Sequence, residues 1–312
     1  EIRAKLPAEE LLATIHEYDG LVVRSASKVT KEVIEAATNL KVIGRAGVGV
    51  DNIDIEAATA KGIIVLNAPE GNTIAATEHT VAMMLSMARN IPQAHSSVQN
   101  GEWKRNQFVG VEMRGKTLGV IGLGRIGSGV AKRAIAFDMK VIGYDPYVNE
   151  ERAKTMGIEV VSLEEIYANA DFISVHMPLT AQTKDLINSE TISKMKDGVY
   201  LVNCARGGII NEADLAEAVK AGKVAGAAID VFPKEPIEPN SPLLGVDKIV
   251  LTPHLGASTV EAQIGVSVDV AYGIVAALKG EPVTTAVNMA PVAPHVLKFI
   301  KPYFGLADRM GK

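Results

Sequence analysis

Residues 117–145 limit more than any other stretch what this chain can fold into. The run Thr117-Leu118-Gly119-Val120-Ile121 has the apolar, β-branched character of a buried strand, and it empties into Gly122-Leu123-Gly124-Arg125-Ile126-Gly127. A helical pattern follows, and a second strand, Lys140–Tyr144, closes on Asp145. Glycine-rich turns alone are common; strand, glycines, helix and a closing acid in register are specific. Each part has a physical role. Gly122 permits a tight turn, Gly124 lets the backbone approach a pyrophosphate, and Gly127 lets helix and strand pack closely. The helix start, at Arg125 and Ile126, adds amide donors and partial positive charge. Asp145 is placed to accept hydrogen bonds from ribose hydroxyls and to repel a 2′-phosphate, which predicts NAD as the cofactor. Read otherwise, Asp145 is a strand-end aspartate opening a turn with Pro146.

The same alternation of short strands and helices runs through the whole chain, so the expected class is α/β. Strands are predicted at Gly20–Arg24, Lys41–Gly44 and Ile63–Leu66, with helices at 8–18, 31–37 and 55–61. Residues 73–89 form a long helix, apolar nearly all round, as expected of an element buried between layers or domains. A polar stretch, residues 90–116, reads as an arm or crossing. Six further strands then begin at 117, 140, 171, 199, 225 and 248, matching a Rossmann-type doubly wound parallel sheet. The last long helix carries a capping box, Ser258 with Glu261, and ends at Gly280. The extended stretch after it, residues 281–288, is predicted to return to the first domain. The expected division is a substrate domain over 1–93, flavodoxin-like, an NAD domain over 94–282, and a return with tail over 283–312. The chain opens on Glu1 and closes inside an amphipathic segment, 296–311, and is read as a piece of a longer one.

Composition removes several classes of function. The 312 residues carry a net charge of −4, which predicts no nucleic-acid partner. No uninterrupted apolar stretch reaches bilayer length, so no membrane association is expected. Cys204 is the single cysteine, which fits a reducing, cytoplasmic setting. The six histidines, His16, His79, His95 and His295 among them, are scattered without ligand spacing, and no metal is predicted.

Three segments at the carboxyl ends of later strands carry the reactive residue types. Arg206, followed by Gly207 and Gly208, is a cation on a tight turn, suited to grip a carboxylate through its planar fork. Glu235 is held in a loop between Pro233 and Pro236. His254 ends a strand just before the capped helix. Oxidation of a secondary alcohol needs a base for the hydroxyl proton as hydride leaves carbon, and histidine serves in both directions. Glu235 would fix its tautomer, and Arg206 would anchor the acid and polarise the 2-oxygen. The other reading of Arg206 is a surface arginine paired with a nearby acid.

With VVRSASKV, GRAGVGVDNID, NAPEGNT, LGVIGLGRIG, GYDPY, NCARGGII and TPHLGAST, the chain resembles the D-2-hydroxyacid dehydrogenase family over nearly its whole length. Within that family it is most similar to members acting on a phosphorylated three-carbon acid. The resemblance implies a catalytic set of Arg206, Glu235 and His254. It implies cofactor contacts at Arg125, Ile126, Asp145, Cys204, Ala205 and Asp230, with Asp230 facing the nicotinamide carboxamide. It implies substrate contacts at Arg24 and Ser25, across Arg45, Gly47 and Val48, and at Asn72. The 46–49 turn could offer consecutive amides to an anion, and Arg24 and Arg45 could reach a phosphate. Equally, these arginines read as strand-end residues with solvent or ion-pair roles. The implied reaction is NAD-dependent oxidation of 3-phosphoglycerate to 3-phosphohydroxypyruvate, the first step of serine biosynthesis. The nearest alternative is a sister enzyme for glyoxylate, hydroxypyruvate or lactate; another class is an NAD(H)-responsive interaction module. The family commonly pairs through the region around 90–116, so a homodimer or higher oligomer is expected.

Overall fold

A computed structural model of the chain divides into two compact units, residues 1–72 with 259–312 (unit 1) and residues 73–258 (unit 2). It describes residues 2–3 and 6–289, with 296, 299–303, 306 and 309–310 beyond. In chain order, unit 1 begins with α1 (Ala8–Thr14), β1 (Gly20–Val23), α2 (Lys31–Ala36), β2 (Val42–Arg45), α3 (Ile55–Ala60) and β3 (Ile64–Asn67). Unit 2 opens with α4 (Thr73–Ala88), α5 (Ile91–Gln99), β4 (Thr117–Ile121), α6 (Arg125–Ala136) and β5 (Lys140–Tyr144). It continues with α7 (Glu150–Thr155), β6 (Glu159–Val160), α8 (Leu163–Asn169), β7 (Phe172–Val175) and α9 (Ser189–Ser193). It ends with β8 (Val199–Asn203), α10 (Glu212–Lys220), β9 (Val224–Ile229) and β10 (Ile249–Leu251); α11 (Val260–Leu278) then belongs to unit 1.

Unit 1 holds a three-stranded parallel sheet, β1-β2-β3, among the described residues. Val33, Ile34, Ile43 and Val65 fill one core between that sheet and α1–α3. The other core joins Val42 and Leu66 to Val266, Val270 and Ile274 of α11. Residues 283–288 lie along β3: Ala286 bridges Leu66 in antiparallel fashion. Asn288 then accepts the Val65 amide at 2.9 Å and donates to the Ile63 carbonyl at 2.8 Å. Helix α11 starts one residue later than the predicted cap. Thr259 accepts the Ala262 amide, whereas the Ser258 amide closes the preceding turn onto Leu255 O. By length and composition alone α11 could cross a membrane, with a mean hydropathy of 1.3, although the sequence reading expected no such stretch. Its inner face is core to unit 1. The amphipathic segment expected over 296–311 lies largely outside the described residues.

Unit 2 is built on a seven-stranded parallel sheet in the order β10-β9-β8-β7-β4-β5-β6. The seventh strand, β6, is a two-residue edge that no periodic pattern announces. Chain order reverses between β4 and β7, the position where doubly wound sheets bind ligands at their carboxyl ends. Helix α4 packs on β8, β9, β10 and α6 and buries Thr77, Thr80, Met83, Met84 and Met87. These contacts explain why the units divide at 72/73 and 258/259 while the sequence suggested 93/94 and 282/283. Helix α4 is apolar nearly all round and core to unit 2, whereas α11 buries Val266, Val270 and Ile274 against unit 1 and leaves Val260, Ile264, Val268 and Tyr272 exposed. Much of the stretch read as an arm is helical: α5 starts with Pro92 in its first turn, where a missing amide costs nothing.

Candidate active site

The glycine turn sits between β4 and α6 with the three glycines in distinct roles. Gly122 has φ +99°, and a Cβ there would stand 2.7 Å from His176 O. A Cβ on Gly127 would stand 1.9 Å from Gly122 O, so the helix approaches the turn as closely as backbone allows. Gly124 differs: nothing lies within 4 Å of where its Cβ would be. That leaves a bare backbone cradle at the N-terminus of α6, where Arg125 and Ile126 open the first turn. The cradle fits a pyrophosphate. Asp145 holds the turn from the next strand: Oδ2 accepts Leu123 N at 2.9 Å and Oδ1 accepts Tyr147 N at 2.8 Å. Each carboxylate oxygen keeps capacity for a further donor such as a ribose hydroxyl.

Arg206 follows β8 on a turn braced by its own strand. Asn203, 2% exposed, accepts Ala205 N at 3.0 Å and donates to Arg206 O at 2.9 Å. Cys204 is half-buried there; burial first, then the nearby Asp230 carboxylate, pushes its thiol up to about 12. The thiol stays protonated at neutral pH, as in an inert core cysteine. Gly207 brings this turn against the loop after β9, because a Cβ on it would stand 1.9 Å from the Phe232 carbonyl carbon. That loop carries Glu235, whose Oε1 accepts Phe232 N at 3.1 Å and whose Oε2 lies 2.7 Å from His254 Nδ1. His254 itself has φ +54°, uncommon for a residue with a side chain. Thus Arg206, Glu235 and His254 stand on neighbouring strand ends, and the glutamate–histidine pair is formed.

Asp230, at the end of β9, is fully buried and lies behind the His254 turn. Burial would raise its carboxyl, but hydrogen bonds from His79, Thr252 and the Leu255 amide outweigh this and hold it below the usual carboxylate range. The sequence reading passed over His79, Thr252 and Asn203. Their only local signal is polarity inside or at the end of apolar runs; His79 and Thr252 find their partners on distant elements, and Asn203 finds its own within the turn it braces. His79, Cys204 and Asp230 place one ligand-type atom each within 4.8 Å of one another, so this histidine is not isolated as the spacing suggested. The group is accounted for by hydrogen bonds, since both Asp230 oxygens already accept donors.

In unit 1, the expected substrate residues occupy the carboxyl ends of β1 and β2 and the segment after β3. Arg45 donates from Nη2 to Ser25 Oγ at 3.1 Å and from Nη1 to Ala46 O at 2.9 Å. The Arg24 carbonyl accepts Asn52 Nδ2 at 3.0 Å. Gly47 has φ +151°, and the Val48 carbonyl accepts Asn67 Nδ2 at 2.7 Å. Asn72 Oδ1 is buried without a hydrogen-bond partner.

Residues 81–256 match the family described as D-isomer specific 2-hydroxyacid dehydrogenase, NAD binding domain. The chain belongs to the D-isomer specific 2-hydroxyacid dehydrogenase family. It is 54% identical over 312 residues to the D-3-phosphoglycerate dehydrogenase of Archaeoglobus fulgidus, covering all of this chain and 59% of that relative. Among solved structures it resembles TT0316 protein from Thermus thermophilus, with a TM-score of 0.84, 35% identity and 90% of each chain covered. A glyoxylate reductase from Paecilomyes thermophila matches at a TM-score of 0.82 and 33% identity, over 89% of this chain and 88% of that one. The chain thus spans a little over half the length of the curated relative it matches.

Proposed function

We propose that this chain is an NAD-dependent dehydrogenase that oxidises 3-phosphoglycerate to 3-phosphohydroxypyruvate, the first step of serine biosynthesis. The observation that carries the chemistry is the 2.7 Å contact between His254 Nδ1 and Glu235 Oε2. With Nδ1 committed to the carboxylate, Nε2 is the nitrogen that takes the 2-hydroxyl proton. Glu235 stabilises the imidazolium that results, and Arg206 grips the substrate carboxylate and draws charge toward the 2-oxygen. NAD supplies the hydride acceptor when bound. Gly122, Gly124 and Gly127 with the first turn of α6 would hold its pyrophosphate, Asp145 its ribose, and Cys204, Ala205 and Asp230 its nicotinamide end. In unit 1, Arg24, Ser25, Arg45, Gly47, Val48 and Asn72 form the proposed substrate-anion site, supported by the cationic Arg45–Ser25 cluster.

The substrate assignment rests on relatives and is tested by steady-state reduction of 3-phosphohydroxypyruvate against glyoxylate with NADH. Strong preference for the phosphorylated acid is expected; equal efficiency on both transfers the assignment to a glyoxylate or hydroxypyruvate reductase, the reading the glyoxylate reductase match favours. No turnover of any 2-oxo acid would leave an NAD(H)-responsive interaction module. The proposal includes a cytoplasmic homodimer. Ile91 and Val98 on α5, and Trp103 and Val109 in the stretch after it, are exposed apolar residues that a second copy could cover. Sedimentation of a monomer at micromolar concentration removes that part.

A further inference from the structure

The chemistry above uses His254 and Glu235 but leaves unexplained why a histidine with φ +54° keeps its place. A left-handed residue with a side chain persists only where its surroundings over-determine it. Here those surroundings converge on one carboxylate. Asp230 Oδ1 accepts Thr252 Oγ1 at 2.5 Å and Leu255 N at 2.8 Å, and Oδ2 accepts Gly256 N at 2.9 Å. The Asp230 carbonyl accepts the His254 amide at 2.8 Å. Asp230 therefore holds the chain on both sides of His254 and at His254 itself.

The two amides take one carboxylate oxygen each, and a further brace on Oδ1 comes from His79 on α4. Its Nε2 lies 3.1 Å from Asp230 Oδ1 and 3.3 Å from Thr252 Oγ1. Asp230 accepts only, and the Thr252 hydroxyl is directed at Asp230, so the His79 Nε2–H is the donor shared between them. His79 is itself held in α4, whose neighbouring Thr80 and Met83 are buried in the unit 2 core. We propose that His79 is a positioning residue: its Nε2–H fixes the Asp230 carboxylate and Thr252, these hold the turn at 252–256, and that turn keeps His254 Nδ1 on Glu235. The contacts of His79 are with Asp230 and Thr252 rather than with Arg206, Glu235 or His254. The kinetic arm of the test rests on the dehydrogenase reading; the structural arm does not.

The test compares the full chain with His79→Leu, which removes the donor, and His79→Gln, whose side-chain amide restores one. In reduction of 3-phosphohydroxypyruvate by NADH, His79→Leu is expected to lower kcat at least about tenfold with the oxo-acid KM nearly unchanged, as for a misplaced reacting group. His79→Gln is expected to recover most of that loss. Independently, the His254 Nδ1–H proton, held on Glu235 Oε2 at 2.7 Å, is followed by NMR on histidine-labelled protein, with its signal assigned through His254→Asn. Loosening the Glu235 contact in His79→Leu should move that downfield signal upfield or broaden it away by exchange with water. His79→Gln should keep the parent signal. If His79→Leu does not fold, His79→Asn, polar but too short to reach, carries the same expectation. An identical His254 Nδ1–H signal in parent and donor-less variant overturns the proposal, whatever happens to kcat. An inactive parent that nonetheless shows the signal change sinks the dehydrogenase reading and leaves the positioning role standing.

Discussion

The two units hold their polar residues in different ways. In unit 2 the candidate residues sit on short loops after β8, β9 and β10, and most of the bonds that place them involve backbone. Asn203 clasps the Ala205 amide and the Arg206 carbonyl, Glu235 accepts Phe232 N, and Asp230 gathers the amides of Leu255 and Gly256. In unit 1 Asn52 and Asn67 likewise hold the Arg24 and Val48 carbonyls, but Arg45 itself reaches across to Ser25 through a long side chain, guanidinium to hydroxyl. Backbone-strapped loops suit proton and hydride transfer, where small displacements cost large factors in rate. A long side chain suits the capture of a charged group, where direction matters less than reach.

The contrast is open to direct attack. The largest effect is expected from His254→Asn, which keeps size and polarity but removes the titrating ring. Its kcat should fall about 10²–10⁴-fold with NADH binding retained. Loss of both would mean that the residue serves folding rather than chemistry.

Next comes Gly207→Ala. Its new methyl would sit 1.9 Å from the Phe232 carbonyl carbon, so the two loops must part. Overpacking of this kind costs about 1–3 kcal/mol or more. Unfolding in urea should show that loss together with a drop in kcat; unchanged stability would show that the loops are less tightly strapped than their geometry states.

Acid should weaken unit 2. Burial pulls the His176 imidazole, beneath the glycine turn, down to about 4 from an ordinary 6.5. Its Nε2 stands 2.8 Å from Ser174 Oγ. A depressed histidine stabilises the fold while neutral, so its contribution is full above pH 6.5 and drains away as pH falls toward 4. At 1.36 kcal/mol per pH unit the loss is about 3 kcal/mol. Stability measured between pH 7 and 4 should fall in the parent and fall less in His176→Gln. Parallel curves would remove the assignment.

The smallest effect is expected in unit 1. Arg45→Ala should raise KM for a phosphorylated oxo acid about tenfold, the equivalent of one charge-assisted hydrogen bond, with kcat little changed. A fall in kcat instead would place Arg45 among the strapped residues.

What could be read from the chain beforehand follows the range of the forces involved. The glycine turn, its flanking strands and Asp145 are local, and TLGVI, GLGRIG and KVIGYD carry them within one supersecondary unit. Arg206, Glu235 and His254 could be singled out beforehand because each follows an apolar strand within a few residues, which places it at the carboxyl end of the sheet. The His79–Asp230–Thr252 group was not, because its members come from α4, β9 and the segment after β10, brought together only by packing. Strand β6 was missed because two residues cannot show a period. The unit boundaries slipped because two apolar helices look alike in sequence, and only contacts tell which sheet each covers.

Asn288 gives the stitched return of unit 1 a consequence for how the molecule is made. Unit 2 is one continuous run of chain, Thr73–Ser258, and can close its sheet as soon as that run has left the ribosome. Unit 1 cannot. Its first strands emerge early, yet their second covering layer, α11, and the amide clasp on Val65 arrive only with residues 259–288. During synthesis the apolar face formed by Val42 and Leu66 therefore waits uncovered while the whole of unit 2 is translated. Of the two units, the one whose strands emerge first is the later to be completed, and that interval is when those strands most need shelter from aggregation.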